Sequence, residues 1–123
     1  MAIHTDLPIH RKGCELLAVA FEVQRHMPRA FKRQLGEKIT CHCVDILDYM
    51  ALANAAKGDR RQRANYIREL LKCQRACVTL PRVGHDMGHI PHEAWSQSVR
   101  LLENIGRQGG GWLRSTNTEA PAA

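Results

Sequence analysis

Residues 57–82 read KGDRRQRANYIRELLKCQRACVTLPR, a stretch opened by Gly58-Asp59 and closed by Pro81. Within it Ala64, Ile67, Leu70, Leu71, Gln74 and Val78 recur at steps of three and four, the period of a helix that buries one stripe. Asp59 is a residue type that caps a helix start. Gly58 can take the left-handed conformation that closes the helix before it, and Pro81 stops the new helix within a residue or two. The spacing predicts a helix from about Arg60 to Leu80, joined to its predecessor by a turn so short that the two must pack antiparallel. The polar side of the same helix carries Arg61, Arg68, Lys72, Arg75 and Arg82, and these intervals of seven, four, three and seven align along one face.

Working outward, the same period appears three more times. Leu16, Leu17, Ala20, Phe21, Val23 and Met27 predict a first helix from near Pro8 or Ile9 to about His26, ended by Met27-Pro28 because the residue before proline avoids the α region. Pro28 suits the first turn of a second helix, in which Leu35, Ile39, Cys43, Ile46, Met50 and Ala53 form the inward stripe to about Lys57. After a loop over 83–90, Pro91 opens a fourth helix with Trp95, Val99, Leu102, Gly106, Gly109 and Leu113 inward. Its run Gly109-Gly110-Gly111 reads as close packing or as a fraying exit, and Trp112 favours a docked helix end. The expected fold is all-α, an antiparallel four-helix bundle over 8–114, with a flexible N-terminus at 1–7 and a disordered tail at 115–123. A three-helix arrangement with a loose end is the alternative.

The chain has 123 residues, room for one core, and is 44% apolar and 24% charged, a globular composition. With six aromatic side chains in all, the core must rest on aliphatics, alanine and cysteine. The net charge is +6, and residues 59–82 alone hold seven Lys and Arg against two Asp and Glu. Such clustering points to a polyanionic partner, whereas an even spread would signal only solubility. Five cysteines, an odd number, and an N-terminus with no apolar signal core favour reduced thiols and a cytoplasmic location. No apolar run approaches the roughly 18 residues of a membrane span, so no membrane partner is expected.

The basic row is the leading candidate site: Arg61, Arg68, Lys72 and Arg75 as principal nucleic-acid contacts, with Arg60 and Arg63 broadening it. A solvated outer face is the competing reading. Arg29, Lys32 and Arg33, flanked by Arg25 and Lys38, form a second basic group at the corner between the first two helices. Metal-ligating types occur in Cys41-His42-Cys43, in Cys73 and Cys77, and in His85, His89 and His92. Two helical residues two apart point to nearly opposite sides, however, and no paired CxxC framework is present, so the cysteines read as buried packing and no metal or other cofactor is expected. Asp45 and Asp48 sit one turn apart without the Glu/His repeat of a di-iron bundle. No phosphate-cradling loop or nucleophile motif occurs, so catalytic residues are not expected.

Met27-Pro28-Arg29 followed by Leu35-Gly36, the central basic helix, and the terminal Ile105-Gly106 with Gly111-Trp112-Leu113 together resemble the accessory variability determinant proteins of diversity-generating retroelements. These belong to a wider group of four-helix proteins that includes those encoded in intervening sequences of bacterial ribosomal-RNA genes. The resemblance spans most of residues 8–115. It implies a four-helix protomer without an active site of its own, assembled as a homopentameric barrel, that binds the element's reverse transcriptase and its template RNA, with DNA a further candidate, during mutagenic retrohoming. The basic bias of the third helix favours the retroelement branch. The alternative is an intervening-sequence type module that binds protein alone.

Overall fold

In a computed structural model of the protein, which describes residues 3–118, four long helices surround one apolar core. A single 3-10 turn, His4–Asp6, leads in, and Leu7 packs against the core within the segment expected to be flexible. Helix α1 is Pro8–His26, with Pro8 in the first turn, where its missing N–H has no helical partner to lose. Met27 is extended, as a residue before proline must be, and ends it.

Helix α2 covers residues 29–55. It begins as Arg29–Phe31, widens into a π turn at Lys32–Gly36, and continues as Glu37–Ala55. The widening lies against α1: a Cβ on Gly36 would sit 2.8 Å from Gln24 Cγ, and Gln24 Nε2 donates to the Lys32 carbonyl at 3.4 Å. Leu35 and Gly36 turn inward there while Lys32, Arg33 and Gln34 face solvent. Beyond the π turn the inward stripe is Ile39, Cys43, Ile46, Met50 and Ala53, all buried, as the period requires.

Helix α3, Arg60–Ala76, starts at Asp59, whose Oδ1 accepts from the Gln62 N–H at 3.0 Å. Gly58 does not take the left-handed conformation expected of it; Gly88 is the glycine that does, at φ 78°. The third helix is also shorter than expected. It breaks at Cys77 and Val78, and a separate eight-residue helix α4, Thr79–Asp86, replaces the start of the expected loop. Pro81 both prevents one continuous helix and sits comfortably in the first turn of the next, where no N–H is needed. Val78, expected inward, is consequently 43% exposed, and Cys77 fills the core position instead.

Helix α5, His92–Thr118, runs through all four of its glycines. Gly109 lets Leu71 approach from α3: a Cβ there would lie 2.8 Å from Leu71 Cδ2. The helix extends past the expected limit at residue 114 and takes in 115–118 of the tail expected to be disordered, with Thr116 buried, while the rest of that expected tail, 119–123, lies outside the described residues. Helix α2 packs against α1 and α3, and α5 closes the set against α1 and α3. Ile46, Met50, Ile67, Leu70 and Ile105 are completely buried, and truncating any of these large side chains to alanine is expected to cost about 2–5 kcal/mol. Among the described residues no helix is long and apolar enough to cross a membrane.

Candidate nucleic-acid interface

At about 100° per residue, Arg61, Arg68, Lys72 and Arg75 fall within roughly 60° of arc on α3. All four are exposed. The opposite side of the helix, Ala64, Ile67 and Leu70, is in the core, so burial of that stripe is what turns the cations outward. Among the described residues Arg61, Lys72 and Arg75 meet no carboxylate at ion-pair distance, and Arg68 donates to Asn65 Oδ1 at 3.1 Å. From Arg61 to Arg75 the row is about 21 Å long at 1.5 Å per residue.

At its N-terminal end the row meets α5. Arg60, Arg61, Ala64, Asn65, Arg68 and Asn117 line a shallow depression, so three guanidinium groups and two carboxamides converge on one concavity. Asn65 and Asn117 were absent from the sequence-based set. Asn65 is legible as the residue three before Arg68, but Asn117 reaches the site only through the packing of α5 on α3.

Arg63, two residues from Arg61, has a different task. Its Nε donates to the Ala53 carbonyl at 2.9 Å and its Nη2 to that of Asn54 at 3.2 Å, and the guanidinium stands 5.9 Å from the centre of the Trp112 ring. It caps the end of α2 and joins it to α5, which removes it from the outward row. Arg82, read as the fifth member, lies on α4, where it pairs with Asp86 at 3.4 Å and stands 5.9 Å over Trp95.

The second basic group is a separate concavity. Arg29, Lys32 and Arg33 are exposed around a depression that also includes Gln24, Gln34 and Glu37. Arg63 fixes the start of α3 beside Ala53, so this depression lies about 30 Å along α2 from the Arg61 end of the row. Arg25, flanking it, is paired with Glu22 at 3.2 Å.

The cysteines divide by position. Cys14 and Cys41 are exposed and Cys73 is half-buried. Cys43 and Cys77 are buried with their sulfurs 4.0 Å apart, and the hydrogen bond the Cys43 thiol shares with Cys77, followed by burial, pushes that thiol up from its ordinary range. Among the described residues no group of three or more His, Cys, Asp and Glu is placed to hold a metal ion. His85, expected in a loop, converges with His92 and Trp95 where α4 meets α5. No family model, curated protein or solved structure matches the chain.

Proposed function

We propose that the protein is a non-catalytic RNA-binding subunit that associates with the reverse transcriptase of a diversity-generating retroelement and supports template-RNA-primed mutagenic cDNA synthesis. The observation that carries the binding part is the row Arg61, Arg68, Lys72 and Arg75, four exposed cations on one helix face that meet no carboxylate at ion-pair distance among the described residues. Like charges so aligned repel one another until a polyanion neutralises them, and releasing the counterions of RNA phosphates supplies the driving force. The depression at Arg61, Arg68, Asn65 and Asn117 adds carboxamides, which hydrogen-bond phosphate or sugar oxygens without reading sequence. The reverse-transcriptase partner, the cytoplasmic setting and the assembly of antiparallel four-helix protomers into a homopentamer rest on the family resemblance.

Two variants separate the surfaces. Replacing Arg61, Arg68, Lys72 and Arg75 with glutamine is expected to weaken binding of a structured RNA much more than replacing Arg29, Lys32 and Arg33, and co-expression with a reverse transcriptase of such an element should yield a co-purifying complex. The opposite ranking in RNA titrations would move the site to the π turn. A specific observation favours the protein-only alternative: Phe21, Val44 and Leu52 are exposed at 54%, 39% and 43% on α1 and α2. Co-purification with the polymerase without measurable RNA binding would establish that reading.

A further inference from the structure

The corner between α4 and α5 is built to a fixed geometry. Gly88 N–H bonds to the His85 carbonyl at 3.0 Å and His89 N–H to the Gly84 carbonyl at 2.8 Å, the paired closure in which a left-handed glycine ends a helix and reverses the chain. The reversal brings His92, at the start of α5, against His85, near the end of α4, with His85 Nε2 and His92 Nδ1 3.2 Å apart. The His85 ring is stacked on Trp95, with centroids 4.6 Å apart and planes 22° from parallel. Its Nδ1 lies 3.4 Å from Asp86 Oδ1; a carboxylate can only accept, so Nδ1 carries the proton and the Nε2 lone pair faces His92.

Two imidazole nitrogens at this separation are bridged either by the N–H hydrogen of one ring or by a cation. Two nitrogens at zinc–imidazole bond length, seen from the metal at a tetrahedral angle, are about 3.3–3.4 Å apart, close to the separation already present. We infer that His85 Nε2 and His92 Nδ1 form a bidentate site for one zinc-class divalent cation, with water in the remaining positions. Asp86 supplies the outer carboxylate that orients a metal-binding imidazole. Its other oxygen accepts from Arg82 Nε at 3.4 Å, which offsets the nearest positive charge. Solvent reaches the site, since His92 is exposed and the His85 side chain keeps 26% of its accessible surface. Bound metal would tie α4 to α5 at the end of the molecule away from Arg61. The inference is independent of RNA binding.

The test is calorimetric titration of Zn2+ into the reduced full-length protein, with histidine ring resonances followed by NMR. One saturable site per chain is expected, shifting His85 and His92 together. Affinity should fall at least about tenfold in His92→Ala, and about tenfold in Asp86→Asn, which leaves both nitrogens in place. His85→Gln, confirmed folded by circular dichroism, should weaken zinc binding at least as much as His92→Ala does. His10→Ala, which alters the separate contact of His10 with His4 and Cys14, should leave it intact. Zinc affinity unchanged in His92→Ala, loss of the site in Cys14→Ser or Cys73→Ser, or no saturable binding would each overturn the inference, the last leaving only a shared proton between the rings.

Discussion

Arg61 and Arg63 are the same residue type two positions apart on one helix, and their surroundings give them opposite roles. The Arg63 guanidinium satisfies two carbonyls at the end of α2, where a helix has no N–H left to offer. Arg63→Gln is therefore expected to lower stability by about 1–3 kcal/mol in urea unfolding, because half-buried acceptors lose a charged donor. RNA affinity of the folded fraction should be retained. Arg61→Gln should do the reverse, leaving the urea midpoint nearly unchanged while weakening RNA binding. No spacing rule separates the two, since the partners of Arg63 lie in α2 and α5. A histidine supplies a pH test at the same scale. Burial, with the nearby His4 adding to it, pulls His10 below its ordinary value of 6.5. The unfolded chain then takes up the proton first on acidification, so this contribution to stability is complete above 6.5 and is lost as pH falls through that value and the lower folded one. Urea midpoints between about pH 7.5 and 5.5 should drop more steeply in the parent than in His10→Gln; parallel slopes would show that His10 does not titrate differently on folding.

At the scale of elements, the sequence is most legible where one period persists over a long run. The bounds of α1 and the stripe Leu35, Ile39, Cys43, Ile46, Met50 and Ala53 follow from apolar spacing and from Pro8 and Pro28. Legibility fails where two physical readings of one residue compete. Pro81 signals a stop and also fits a first helical turn, which hid α4 and with it the closure that brings His85 to His92. In α5 the expected stripe holds in part: Leu102 and Gly109 are buried, whereas Trp95, Val99, Gly106 and Leu113 are half-buried and Ser98, Leu101 and Ile105 face the core. Phe21, expected on the inward face of α1, is 54% exposed, as an aromatic is not obliged to be buried. The glycines of α5 make the packing testable. A Cβ on Gly110 would meet nothing closer than 3.6 Å, so Gly110→Ala is expected to raise stability by about 0.5–1 kcal/mol through helix propensity and the lost freedom of the unfolded chain. At Gly84 a Cβ would lie 2.6 Å from Ile90 Cδ1 and 3.1 Å from Leu35 Cδ2, so Gly84→Ala should lower stability by about 1–3 kcal/mol. Equal effects at the two positions would contradict this arrangement of α4 over the core.

For the whole molecule, charge and shape support the same reading of function. The excess charge lies in residues 59–82, and the packing of α3 sorts it: Arg63 and Arg82 are drawn into internal contacts, leaving Arg61, Arg68, Lys72 and Arg75 facing out. The candidate row was therefore legible in the sequence, while its depression and the separateness of the Arg29, Lys32 and Arg33 group depend on how helices meet. The proposed assembly predicts light-scattering masses several times 13.9 kDa, and a strict monomer at micromolar concentration would remove the oligomer from the account. The most direct measurement is RNA affinity as a function of salt for the parent chain and for the variant with Arg61, Arg68, Lys72 and Arg75 all replaced by glutamine. Helicity by circular dichroism should be unchanged, because exposed like charges contribute little cohesion. Each lost phosphate contact should reduce the magnitude of the log–log salt slope by about 0.7–0.9, or about 3 for the four together, with affinity falling for every RNA tested. Unchanged slope and affinity in a folded variant would contradict the account and leave α3 as a solvated or protein-facing surface.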